Sequence, residues 1–278
     1  VIQIFTKKGA AGAPRWTLNV EQGVQVTGHV GPDVDPTGLR VNDCTRQLNH
    51  SLEEGFFFNR DTQGNLVSDP GCPSSGSWLR NAHTQDYSLS VRGGNDDVTY
   101  YASGGYGNTQ GVVAPNQSED VNVRANFTFN GFENFQINLN NFYTRRDIIW
   151  IPNGDNAEGL LFNVSRGDEG ETPENDDSVV LDLDQDQVIN HFNTSANVNW
   201  TPMDNMRHRL TFGLDYSNSH YVTQRPWLFW NNPLGTRTVD IENRRVITLD
   251  YAGSVNLQLP REFSSTTSFG AQYNQSEH

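Results

Sequence analysis

The sequence predicts an all-β protein: a partial antiparallel up-and-down transmembrane β-barrel of about nine strands, with short periplasmic turns and long extracellular loops. Three observations predict it. Apolar and polar residues alternate with period two over much of the chain. No stretch carries the 3.6-residue pattern of a long amphipathic helix, and only 46–56 suits a short one. The joins between the alternating stretches are short and long in strict turn.

The first strand is expected at 16–23, opening on Trp16, and the second at 85–92 around Tyr87, Leu89 and Val91. The third, 98–108, follows the turn sequence GGNDD, which is rich in residues that favour tight turns. In the fourth, 119–130, Val121, Val123, Ala125, Phe127 and Phe129 alternate with Asn122, Arg124, Asn126 and Thr128. The turn NGFEN leads into the fifth, 134–145. The sixth, 188–201, sets Phe192, Ala196, Val198 and Trp200 against Asn193, Ser195, Asn197 and Asn199. TPMDN joins it to the seventh, 206–217, with Leu210, Phe212, Leu214 and Tyr216. The eighth, 245–259, is the clearest, with Ile247, Leu249, Tyr251, Val255, Leu257 and Leu259 on one face and Thr248, Asp250, Ser254, Asn256 and Gln258 on the other. PRE leads to the ninth, 263–275.

The polar faces consist mainly of Asn, Gln, Ser and Thr, as suits a wet, hydrogen-bonding interior. The apolar faces carry Trp16, Tyr87, Trp200, Tyr216, Tyr251 and Phe263 near strand ends. Such residues form girdles at lipid headgroups in a membrane barrel and are core in a soluble sandwich. The connections separate these readings. The long joins are 24–84, 109–118, 146–187 and 218–244, so every short turn falls at one end and every long loop at the other, as in an outer-membrane barrel. Bacterial single-chain barrels have even strand numbers and leave no edge in lipid, so nine strands are expected to be part of a larger barrel.

The formal charge of -14 and the absence of any basic block exclude nucleic acid as a partner. Lys7 and Lys8 are the only lysines. Cys44 and Cys72 lie in the insertion 24–84 without zinc-like spacing; a disulfide between them is expected, with two unrelated thiols as the alternative, and implies an oxidising compartment. No apolar run reaches the roughly 18 residues of a helical membrane span, which leaves strand spans open. The chain lacks a GxSxG elbow, HExxH, P-loop or GxGxxG leading into a helix, and its seven histidines show no ligand spacing. It is therefore expected not to be an enzyme, and no cofactor is expected.

Residues for binding come from the long loops. Trp150 in RRDIIWIPNG and Trp227 and Trp230 in RPWLFWNNP are candidates for stacking on sugar rings or peptide side chains, or for docking a partner; packing of the loops on one another is the alternative. Arg145, Arg146 and Arg225 are candidates for gripping acidic groups, or for pairing with the acidic stretch 167–187. Asp182, Asp184 and Asp186 in that stretch raise a calcium reading. The Gly and Glu of an EF-hand loop are missing, and a solvated loop entering a lumen-facing strand is favoured.

Two motifs carry a family resemblance. Val1, Ile2, Ile4, Thr6, Lys7, Lys8 and Gly9 match a plug-domain ending, and Leu89, Ser90, Val91, Gly93, Gly94, Tyr100, Tyr101, Ser103, Gly105, Tyr106, Asn108 and Gly111 match the hairpin that follows. Together they resemble the SusC/RagA-type TonB-dependent receptors of the bacterial outer membrane. Gly104 departs from the pattern, where a larger apolar residue is usual, and the insertion holding the cysteines is not part of it. The resemblance implies that 1–9 is the last strand of a plug domain and that 10–278 is the N-terminal portion of a barrel of roughly 22 strands. It further implies a nutrient importer for oligosaccharide or peptide, a SusD-like surface lipoprotein as partner, and TonB contacted through a segment outside this sequence. The competing reading is a soluble or surface-attached β-rich carbohydrate-binding module.

Overall fold

The computed structural model describes residues 7–26, 59–60, 66–67, 80–113, 115–152, 156–160, 177–260 and 263–278. Cys44, Cys72, the expected short helix at 46–56 and most of the expected plug strand lie outside them.

Nine strands form one antiparallel sheet in which each pairs with its neighbours in sequence. They are β1 (Gly12–Gln25), β2 (Ala82–Gly94), β3 (Val98–Gln110), β4 (Gln117–Phe132), β5 (Phe135–Ile149), β6 (Asp184–Met203), β7 (Met206–Arg225), β8 (Thr236–Leu259) and β9 (Phe263–Glu277). A two-stranded ladder, Asn59–Arg60 with Leu66–Val67, lies in the insertion, and a 3₁₀ turn, Asp177–Asp182, precedes β6. No described helix is long and apolar enough to cross a membrane, which says nothing about strands.

The expected strands are all present, and several are longer than their alternation suggests. The expected loop 218–244 shrinks to the ten residues between β7 and β8, and 109–118 shrinks to the six between β3 and β4. The ladder continues there after the polarity contrast has ended: beyond Tyr216, Asn218 and His220 alternate with Ser217 and Ser219, so both faces read as polar. The short turns satisfy their own backbone. The Asn95 side chain accepts from the amides of Asp97 and Val98, and Gly94 adopts φ 143°, a conformation L side chains rarely adopt.

Register sorts the side chains into two faces. Trp16, Leu89, Val123, Phe212 and Leu249 share the apolar one, and nothing among the described residues covers it: Trp16 is 66% and Val123 51% exposed. On the other face, bonds such as Thr128 to Asn138 (2.9 Å), Asn140 to Ser195 (3.2 Å) and Thr211 to Asn197 (2.8 Å) join neighbouring strands. The chain before β1 lies on this polar face. Asn126, only 4% exposed, donates to the Lys7 carbonyl at 2.8 Å, and Lys8 and Gly9 border a cavity lined by Thr128, Gln136, Asn138 and Asn197.

The apolar face is bounded by aromatic side chains whose polar tips turn toward the strand ends. On the long-loop side Tyr143 donates to Asn190 (2.9 Å), Tyr273 to Gln275 (2.9 Å), and Gln22 donates to Tyr87 (2.7 Å). On the short-turn side Phe135 packs on Trp200, Trp200 on His208, and His208 on Tyr251. The apolar band also slips against the hydrogen-bond register. Directly opposed residues run from Trp16 through Val91, Ala102, Ala125, Asn141, Thr194, Leu214 and Ile247 to Gln275. Trp16 is the lowest large apolar side chain of β1, nearest the short turns, whereas Gln275 stands just above the highest of β9, Tyr273. A single row thus crosses the whole band.

Candidate functional site

Most of the buried apolar side chains lie at the long-loop end rather than on the sheet faces. Ile151, Leu160, Val180, Leu183, Val222 and Phe229 are buried there. Polar contacts tie the connections together. Arg80 donates to the carbonyls of Gly111 and Asn116 (both 3.1 Å), and the Asn116 side chain accepts from the Ile151 amide at 3.0 Å. Loops anchored this way form a built surface.

Trp150, just after β5, stacks on Tyr221 of β7 with centroids 5.4 Å apart and planes 12° from parallel. Its amide donates to the Gln185 carbonyl (3.2 Å), and the Gln185 side chain donates to the Tyr221 hydroxyl (2.7 Å). Arg225, at the end of β7, forks onto Glu158 in the β5–β6 connection at 2.6 and 2.7 Å, and Asn231 donates to the same carboxylate at 3.1 Å. The Arg225 guanidinium holds the Glu158 carboxylate below the ordinary carboxylate range, with Asn231 adding to the effect and burial opposing it. Arg225 is therefore already engaged, and its partner precedes the acidic stretch in which one was sought.

The β7–β8 connection folds through successive tight turns, with Leu228 and Gly235 at φ 66° and 68°. It buries Phe229 beside a half-buried Trp230 whose indole N–H has no partner among the described residues. Trp227 and Leu228 stand outside, 68% and 72% exposed.

Arg145 and Arg146 lie within β5 and not in a loop. The strand carries them to opposite faces: Arg145 shares the face of Tyr143 and pairs with Asp147 at 2.8 Å, while Arg146 is on the polar face. The structure brings Trp150 and Arg225 to one corner through Tyr221 and Glu158 and sets Arg145 apart from them. Asp184 and Asp186 share the face of Val188 and Phe192, so the expected lumen-facing strand start is corrected; the period of two fixes that they share a face, and register decides which. Among the described residues no group of three His, Cys, Asp or Glu side chains is placed to hold a metal. Tyr221, Glu158, Asp240 and Glu242 were not singled out from the sequence. Only register and the folding back of a loop bring them to Trp150 and Arg225.

No known family profile matches the chain, and no curated protein matches it in sequence. Solved structures do match its fold. The chain shares its fold with RagAB chains. The RagAB peptide importer in its closed-closed and open-open states gives TM-scores of 0.66 and 0.64, and the RagAB peptide transporter 0.67, each at 16% sequence identity. Each match covers 98% of this chain and 36% of the RagAB chain. The likeness extends over nearly all of the nine-stranded sheet, and this chain spans about a third of the RagAB chains' length.

Proposed function

We propose that this chain is the N-terminal portion of the wall of a TonB-dependent importer in the bacterial outer membrane, with peptide as cargo. Its apolar face meets lipid, its polar face lines the lumen, its short turns are periplasmic and its long loops extracellular. Residues 1–9 end the plug, a SusD-like lipoprotein covers the loops, and TonB delivers the energy.

The slip of the apolar band against register carries the reading. Nine strands make eight steps, each about 4.8 Å, so the row from Trp16 to Gln275 runs about 38 Å across the strands. Climbing a lipid-facing band about 25 Å tall along that path requires strands tilted by about 40°, inside the range of roughly 35–45° found in outer-membrane barrels. A soluble barrel tilts its strands as much but buries its apolar face, whereas this face is left uncovered among the described residues. The RagAB likeness supports the barrel, and the peptide named in those structures motivates the choice of cargo over oligosaccharide.

Deletion of the gene tests the proposal. The mutant should lose uptake of a labelled peptide mixture while retaining uptake of labelled oligosaccharides, and the protein should fractionate with the outer membrane. Recovery in the soluble fraction without detergent would overturn it.

A further inference from the structure

The polar face carries a cleft of about 420 Å³ just below the long loops. Trp150 and the Tyr221 stacked on it line it together with Gln187, Ser219, Ile241 and the exposed Asp240 and Glu242. Register fixes this grouping: Tyr221 lies directly across from Asp240 on β8, Ser219 across from Glu242, and Gln187 across from Tyr221 on β6.

The donors and acceptors select a ligand. The Gln187 side chain donates to the Ser219 hydroxyl at 2.8 Å and the Tyr221 hydroxyl accepts from Gln185, while Asp240 and Glu242 are acceptor-only groups when ionised. Among the described residues neither carboxylate has a hydrogen-bonding or ion-pair partner. Of the nearby cations, Arg225 is forked on Glu158, and Arg244, two residues beyond Glu242 on the same face of β8, stands diagonally across from Asp215. No Arg or Lys lines the cleft, which offers two carboxylates and aromatic rings. Two carboxylates fall short of a metal-ligand set. An organic cation satisfies both features, donating to the carboxylates and lying against the aromatic wall.

We infer that this cleft is a subsite for a Lys or Arg side chain of the transported peptide. The inference rests on the reading of the polar face as the lumen of a peptide importer, and it adds a charge preference at one position of the cargo.

The test uses the full-length protein in detergent micelles, titrated calorimetrically with three capped pentapeptides. The central residue is arginine, its neutral isostere citrulline, or glutamate, with glycine elsewhere. The arginine peptide should bind about tenfold more tightly than the citrulline peptide, as a charge-assisted contact predicts, and added salt should shrink the difference. The preference should vanish in the Asp240→Asn/Glu242→Gln double variant and turn toward glutamate in Asp240→Lys/Glu242→Lys. Equal affinity for the arginine and citrulline peptides would overturn the subsite while leaving peptide uptake standing. An unchanged preference in the neutralised variant would also overturn it. Absence of binding by all three peptides would overturn both the subsite and the peptide-importer reading.

Discussion

Phe212 stands midway along the apolar face of β7, between His208 on the short-turn side and Tyr216 on the long-loop side. Replacing it with arginine distinguishes lipid from water at that face. A charged residue on the lipid face of a barrel costs about 2–4 kcal/mol at the midplane and about 0–1 kcal/mol near the interfaces. Phe212→Arg should therefore cost about 2–4 kcal/mol, and His208→Arg and Tyr216→Arg about 0–1 kcal/mol each. If water met this face, Phe212, already 40% exposed, would lose only part of its burial, and the cost would not peak mid-strand. The neighbouring Thr211 supplies the control. It lies on the polar face and donates to Asn197 at 2.8 Å, so Thr211→Arg should cost only about 0.5–1.5 kcal/mol for the lost bond. Urea titration of the protein folded into phosphatidylcholine vesicles, read by heat-modifiable gel mobility, measures all four. Equal costs at 208, 212 and 216, or a Phe212 variant no worse than the Thr211 variant, would refute the reasoning.

Three further outcomes follow from named contacts. Because Arg225 lowers the Glu158 carboxylate, the stabilisation of the loop at 156–160 is fully present above the ordinary carboxylate value of about 4.3 and is lost as pH falls through the lowered value. Hydrogen-exchange protection factors of that loop should be flat from neutral pH to the ordinary carboxylate value and fall as pH passes through the lowered one, whereas Glu158→Gln should lower them at neutral pH and remove this pH dependence. Asn126→Ala removes the bond to the Lys7 carbonyl, at about 1 kcal/mol, and should speed exchange at residues 7–12 without shifting exchange in β7 and β8. Gly94→Ala places a Cβ 2.2 Å from the Val98 carbonyl oxygen at φ 143° and should destabilise the β2–β3 hairpin. Gly104→Ala meets only the Asn122 carbonyl oxygen at 3.9 Å and should be neutral or stabilising in the same urea titration.

The strands were legible where the environment differs on the two sides of the sheet. Ile247 to Leu259 alternates because its faces meet different surroundings, and the turn sequences between strands mark the hairpins without ambiguity. Legibility ended where both faces are polar, so the upper parts of β7 and β8 read as loop although their ladder is continuous from Thr236 opposite Arg225 downward. The site was half legible. Trp150 and Arg225 stand out as residues of a kind suited to binding, but their partners Tyr221 and Glu158 lie 71 and 67 positions away (221 − 150 and 225 − 158), beyond what periodicity encodes. The facing of Arg145 depends on strand parity, which only the continuation of β5 to Ile149 settles.

Depth measurement along the register row tests the central claim most directly. Single cysteines at Trp16, Val91, Ala125, Thr194, Leu214 and Gln275 in a Cys44→Ser/Cys72→Ser background, labelled with a spin probe in bilayers, report depth through collisional relaxation by oxygen and a water-soluble nickel complex. The tilted-barrel account predicts a continuous climb: interfacial at Trp16, deepest near Ala125 and Thr194, and interfacial on the opposite side at Gln275. Probes all at one depth, or all reached equally by the nickel complex, would contradict it.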